Sequence, residues 1–149
     1  MKTLYNKTQY STLIIVIFIP ILAFLFYAYF SQAGDNPLPL ISFIILMVLF
    51  VLVLLIFYKL NITITKDKII ATFGIGIIKR VVNINDIDIN TIEKVSFGFL
   101  TGIGIRITKK GWLWNVKIGD AIYFQTKNKS ATFLVGTDDY YEIKKLLKN

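Results

Sequence analysis

The sequence predicts a membrane α-hairpin plus a β domain: two transmembrane helices, then a small antiparallel β domain closed by one C-terminal helix. Three observations lead to this fold class. Two long uncharged apolar runs lie in the first half of the 149 residues, strand-like alternation fills most of the second half, and the C-terminal residues carry a helical apolar stripe. The hydrophobic fraction of 55% exceeds the roughly 45–50% usual in soluble domains, so part of the chain is expected in lipid.

Each apolar run is long enough to cross a bilayer. The run 13–30 contains no charged residue, and the run 38–58 has only Ser42 and Tyr58 as hydroxyl side chains. Both lengths fall within the about 17–25 residues that a spanning helix needs. We therefore predict a transmembrane hairpin over residues 1–59, with spans at about 11–30 and 38–58. The soluble alternative, two buried core helices, needs a larger globular shell than the rest of the chain provides.

The charges flanking the spans predict their orientation. The cations Lys2 and Lys7 precede the first span, and Lys59, Lys66 and Lys68 follow the second. The connecting loop holds no cation and one acid, Asp35. The positive-inside rule then predicts a multi-pass protein of the cell membrane with both termini in the cytoplasm. A cleaved signal peptide ending near Ser31–Ala33 is the rival interpretation. Its apolar run is longer than the usual core of about 7–15 residues, and it too leaves the C-terminal part in the cytosol.

Residues 60–149 have the pattern of a small β domain. Leu60, Ile62 and Ile64 alternate with polar residues, and further β-rich runs separated by turn signals bring the total to about seven or eight strands. Those runs cover 69–73, 76–84, 92–100, 103–108, 112–116, 121–126 and 131–135. A closing helix is predicted at about 138–148, because Thr137 or Asp138 can cap it and Tyr140, Ile143 and Leu147 form one stripe.

Three short segments carry a resemblance to a known family. They are Gly102-x-Gly104 leading into a strand, Trp114-Asn115-Val116, and "LVGTDD" at 134–139. Behind two apolar spans, this pattern resembles bacterial membrane-anchored proteins with a pleckstrin-homology-like (PH-like) domain. The resemblance covers about residues 60–149 and implies a bent antiparallel barrel or sandwich of about seven strands with one C-terminal helix. It implies no shared reaction or ligand.

Both tryptophans fall in one predicted strand, at Trp112 and Trp114, with the same parity. They either fill the core or form an exposed surface that contacts the headgroup region, a protein partner or a small ligand. We therefore treat them as a candidate partner surface.

The net charge of +8 gives a second candidate surface. Lys66, Lys68, Lys109 and Lys110 lie in predicted turns and are candidates for contact with an anionic membrane surface. The alternative is scattered solvated charge. Nucleic acid is not a predicted partner, because no basic helix or recognised binding motif occurs.

Catalysis finds little support in the sequence. The chain lacks histidine and cysteine, and its glycine-rich segments match neither phosphate-binding pattern. No catalytic residue, metal site or cofactor is predicted, and a hydrolase or transferase would require convergent polar groups. The favoured function is a non-catalytic interaction module that docks a protein partner or holds an assembly at the cytoplasmic membrane face. The alternative is an accessory subunit whose hairpin packs against a larger membrane protein.

Overall fold

The computed structural model describes residues 2–148, which form nine β-strands and three α-helices. The helices are α1 (Thr12–Phe30), α2 (Leu40–Phe57) and α3 (Tyr140–Lys148). The strands are β1 (Thr3–Tyr10), β2 (Lys59–Thr65), β3 (Lys68–Phe73), β4 (Lys79–Asn83), β5 (Glu93–Phe97), β6 (Gly104–Thr108), β7 (Gly111–Asn115), β8 (Gly119–Gln125) and β9 (Thr132–Gly136). Met1 and Asn149, the outer ends of the two predicted segments, lie outside the described residues.

The two apolar helices agree with the predicted spans to within two residues at each end. Both are long and apolar enough to cross a membrane, and no residue of either is buried. They touch each other through aromatic pairs, including Phe18 with Phe50 and Tyr29 stacked on Phe43 at a centroid distance of 4.3 Å. The helices thus lack the cover that the core helices of a soluble domain have.

The strands form two sheets, and neither sheet is closed. The first has the order β1-β2-β3-β4 and is antiparallel throughout, while the second has the order β5-β8-β9-β7-β6. In the second, β9 lies between β8 and β7, antiparallel to β8 and parallel to β7. The expectation of a purely antiparallel domain is therefore wrong at the β7–β9 pair. Two helices, a β domain and a C-terminal helix are confirmed, whereas a closed barrel is not formed.

The strand β1 was not among the predicted elements. It pairs with β2 from Thr3 opposite Thr65 to Tyr10 opposite Lys59, so part of the segment assigned to the hairpin extends a sheet of the β domain. The sequence of this segment does not show the apolar alternation of a strand, because Tyr5 is the one large apolar residue on the side that Lys7 and Gln9 share.

The core lies between the two sheets and under α3. The first sheet contributes Leu60, Ile62, Ile64, Ile69 and Phe73, the second contributes Trp114, Ile122, Phe124, Phe133 and Val135, and α3 adds Tyr140, Ile143 and Leu147. The apolar stripe predicted for the closing helix is thus the buried face of α3. Its acidic first turn and lysines at its end suit the helix dipole.

Candidate interface at the junction of the helices and the β domain

Single residues connect the helices to the sheet. Ser11 joins β1 to α1, Tyr58 joins α2 to β2, and the Ser11 amide donates a hydrogen bond to the Tyr58 carbonyl at 2.8 Å. The buried Ser11 hydroxyl also accepts a hydrogen bond from the amide of Ile14 in the first turn of α1. The β1–β2 pair therefore continues into the helical hairpin without a flexible linker. We call this end of the β domain the basal end, and the opposite end the distal end.

The turn between β3 and β4 packs directly on the last turn of α2. The amide of Gly74 donates to the Lys59 carbonyl at 2.8 Å, and the amide of Ile75 donates to the Leu55 carbonyl at 3.3 Å. Gly74 has a φ of +49°, and a Cβ there would overlap the backbone of Leu55 and Ile56. Only glycine meets both demands, so this residue fixes how closely the turn approaches the helix.

A chain of aromatic rings continues from the helix into both sheets. Phe57, the last residue of α2, meets Phe73 edge to face at 5.4 Å, and Phe73 lies 5.5 Å from the ring of Trp114. Trp114 is 9% exposed, so it fills the core and joins the two sheets. Trp112 is 49% exposed and pairs with Ile107 towards the distal end of β6. Only Trp112 of the candidate partner surface is therefore accessible.

The segment that leads into β6 also returns to the helices. A cleft of about 250 Å³ is lined by Ile14, Phe57, Ile103, Gly104, Ile105 and Arg106. The Arg106 Nε donates to the Ile103 carbonyl at 3.2 Å, which folds the guanidinium back towards the basal end. The preceding turn, Phe99–Thr101, exposes Phe99 and Leu100 to the surroundings.

Polar contacts connect β1 to the end of β9 and to the loop between β9 and α3. The Tyr5 hydroxyl donates to Asp139 at 2.7 Å, the Lys7 ammonium donates to the same carboxylate at 2.6 Å, and the Gln9 amide donates to the Gly136 carbonyl at 2.9 Å. The hydrogen bonds from Lys7 and Tyr5 lower the pKa of Asp139, and burial is the main cause that raises the pKa of Tyr5. We call these three contacts the β1 latch.

The four lysines proposed as a membrane surface lie at the distal end. Lys66 and Lys68 flank the β2–β3 turn, seven residues or about 20 Å along β2 from the end of α2. Lys109 and Lys110 occupy the β6–β7 turn, where Lys110 forms an ion pair with Glu93. The structure therefore does not bring these lysines to the helices. Sequence reasoning missed the role of Gly74 beside the helices, because a glycine-containing turn was its only local signal.

Two carboxylates of the β domain, Asp120 and Asp138, are held by lysine side chains. Asp120 accepts hydrogen bonds from Lys94 and Ser96, which lower its pKa, and Asp138 forms an ion pair with Lys117. Within residues 2–148, no cluster of three or more side chains suited to a metal ion occurs. Asp120 and Asp138 thus each have a lysine partner.

Comparison of the chain with known protein families, with characterised proteins and with solved structures gave no match.

Proposed function

We propose that this protein is a membrane-anchored, non-catalytic interaction module with a PH-like β domain, which docks a protein partner or holds an assembly at the cytoplasmic membrane face. The observation that carries the proposal is the linker-free junction. Ser11 and Tyr58 hold β1 and β2 to the ends of α1 and α2, so a hairpin in lipid would present the sandwich in one fixed orientation. A tethered enzyme needs no such rigid mounting, whereas a docking surface gains affinity from pre-organisation.

The cytoplasmic placement is supported by charge. The connecting loop carries Asp35 and no cation, while all lysines and arginines of the chain lie before α1 or after α2. Both termini and the β domain are accordingly assigned to the cytoplasm, in a multi-pass protein of the cell membrane.

The PH-like assignment is supported by the arrangement of two packed sheets with α3 across them, and by the resemblance of residues 60–149 to bacterial PH-like proteins. Three features depart from the family pattern: β1 precedes the helices, β7 runs parallel to β9, and both sheets are open. The assignment therefore concerns general architecture and transfers no ligand.

The non-catalytic assignment is supported by how the charged groups are used. Asp120, Asp138 and Asp139 are each paired with a lysine, and the chain has no histidine or cysteine to act as base or nucleophile. A hydrolase or transferase remains the competing class, and turnover by the purified protein that one carboxylate substitution abolishes would establish it.

Trp112 and Ile107 form the favoured docking surface. They are cross-strand neighbours on β7 and the edge strand β6. Trp112 is half-exposed and Ile107 is largely exposed. A half-exposed tryptophan beside an aliphatic residue is typical of the anchor residues of protein interfaces. Lys109 and Lys110 lie in the adjoining turn and would favour a partner with acidic groups at the rim of the contact.

The accessory-subunit alternative is favoured by the uncovered helices. No residue of α1 or α2 is buried, and their mutual contacts leave most of both surfaces free to pack against another membrane helix.

Photo-crosslinking of the full chain in its native membrane separates the candidates. A crosslinking amino acid replaces Trp112 in one variant, exposed Val81 of β4 in a second as the matched surface control, and Leu49 of α2 in a third. A specific protein adduct at 112 but not at 81 supports the docking module. Adducts restricted to position 49 favour the accessory subunit, and adducts at none of the three contradict both.

A further inference from the structure

Four large apolar side chains project from the basal end although they belong to the β domain. Ile75 and Ile77 lie in the β3–β4 turn, Phe99 and Leu100 lie in the β5–β6 connection, and all four are exposed, Phe99 to 75%. Water-exposed turns usually carry polar residues and glycine. Apolar residues in two separate turns at one end of the domain therefore need a partner that covers both.

The position of these turns relative to α2 identifies the covering medium. Ile75 is hydrogen-bonded to the carbonyl of Leu55, which lies inside the apolar span and before its last residue, Phe57. Ile103, close to Phe99 and Leu100 in the chain, lines the basal cleft with Phe57. The β3–β4 turn thus lies at the depth of the last turn of α2, where a spanning helix passes through the bilayer interface. The β5–β6 connection lies towards the same end of the domain, because Gly104, which follows it, also lines the cleft beside Phe57.

Cations surround these turns without carboxylate partners. Lys59 begins β2, Lys79 follows the β3–β4 turn, and Arg106 folds over the β5–β6 connection. Among residues 2–148, none of the three forms an ion pair, whereas Asp120, Asp138 and the other ion-paired carboxylates are held by Lys7, Lys94, Lys110 and Lys117. Cations beside apolar turns match an interface in which acyl chains lie below and phosphate groups above.

We propose that the β domain is itself seated in the membrane: Ile75, Ile77, Phe99 and Leu100 insert into the acyl boundary of the cytoplasmic leaflet, and Lys59, Lys79 and Arg106 contact lipid phosphates. This inference rests on the proposed anchoring of α1 and α2 in the same bilayer. It assigns lipid contact to the basal end and leaves Lys66 and Lys68 for other partners, because about 20 Å of β2 separates them from the end of α2, more than a Debye length of about 8 Å.

The absence of cysteine makes the depth of single positions measurable. Nitroxide labels are placed on the full chain in nanodiscs of mixed zwitterionic and anionic phospholipid, one variant each for Ile77→Cys, Phe99→Cys, Ile107→Cys and Leu49→Cys. Ile107 is the matched control, because it is exposed to the same 75% as Phe99 but lies towards the distal end. The readout is accessibility to oxygen relative to a water-soluble nickel complex, a ratio that rises with depth in lipid.

The proposal expects high ratios at 77 and 99, approaching that at position 49, and a low ratio at 107. Ratios at 77 and 99 as low as at 107, with a high ratio at 49, overturn the seating while the anchoring stands. A low ratio at 49 contradicts the anchoring itself. Poor access of both reagents to 77 and 99 would show that protein covers the turns, and would also overturn the proposal.

The phosphate contacts are tested in the same system. With the label at Phe99→Cys, the pair Lys79→Glu and Arg106→Glu is expected to reduce the depth ratio in anionic nanodiscs. The matched pair Lys66→Glu and Lys68→Glu makes the same charge change at the distal end and is expected to leave the ratio unchanged. An equal effect of the two pairs, or no effect of the first, contradicts the assignment of lipid phosphate to these residues.

Discussion

The junction geometry predicts that the helical hairpin formed by α1 and α2 can be removed without losing the β domain. The Ser11 amide donates to the Tyr58 carbonyl one residue beyond the last β1–β2 pair, Tyr10 with Lys59, and this is one of the two hydrogen bonds that close a two-residue β-hairpin. Replacing Thr12–Phe57 by Asn-Gly therefore joins β1 to β2 through a type I′ turn and deletes both helices with their loop. The comparison variant starts at Tyr58 and lacks β1.

The difference in stability between the two variants follows from what β1 buries. Tyr5 is almost fully buried and bonded to Asp139, and losing a buried aromatic side chain costs about 3–5 kcal/mol. A whole domain has about 5–15 kcal/mol, so the variant without β1 is expected to unfold in water or in little urea. The joined variant loses the ring contact of Phe57 with Phe73, about 0.5–1.5 kcal/mol, and the hydrogen bond from Ile75 to Leu55, about 0.5–1.5 kcal/mol.

Urea unfolding followed by tryptophan fluorescence measures this difference, because buried Trp114 becomes exposed on unfolding. The joined variant should unfold in one cooperative transition, at least about 3 kcal/mol more stable than the variant without β1. Equal midpoints would refute the role given to β1. A joined variant that fails to fold would refute the independence of the β domain from its helices.

Three further changes test individual contacts. Gly74→Ala should lower the melting temperature of the full chain in detergent by more than Gly34→Ala, because both glycines have positive φ but only Gly74 abuts backbone. Asp139→Asn should remove part of the acid sensitivity of unfolding. The pKa of Asp139 is lowered in the folded state. Its contribution to the free energy of unfolding is therefore present above the unfolded-state pKa and is lost as pH falls through the folded-state pKa. Urea midpoints measured across acidic pH report this loss. Trp114→Ala should cost about 3–5 kcal/mol of folding free energy by urea titration, and Trp112→Ala several-fold less, since only the first indole is buried.

The sequence was sufficient to predict the elements whose own residues carry an uninterrupted or periodic apolar pattern. The helices α1 and α2 were predicted to within two residues because uncharged runs of that length have few alternatives, and the runs behind β2 to β9 carry their own alternation or β-branched residues. The amphipathic α3 was found through its stripe. These elements could be predicted without knowing which other elements they pack against.

Long-range pairing explains what the sequence did not reveal. The strand β1 is specified by β2, more than forty residues away in the chain, and by Asp139 near the other terminus. Trp112 and Trp114 share a parity, yet one is exposed and the other buried because the ring of Phe73 lies against Trp114. The basal surface likewise depends on two turns and a helix end that only the fold brings together.

The position of β1 in the chain couples folding of the β domain to formation of the hairpin. Pairing Tyr10 with Lys59 requires closing a loop that contains α1 and α2, and an unstructured loop of that length would oppose pairing through its closure entropy. Packing of the two helices brings Ser11 and Tyr58 together, so an inserted hairpin removes most of that cost. The latch from Tyr5 and Lys7 to Asp139 then forms only when the last loop has been made. A complete first sheet and a closed latch therefore follow helix pairing.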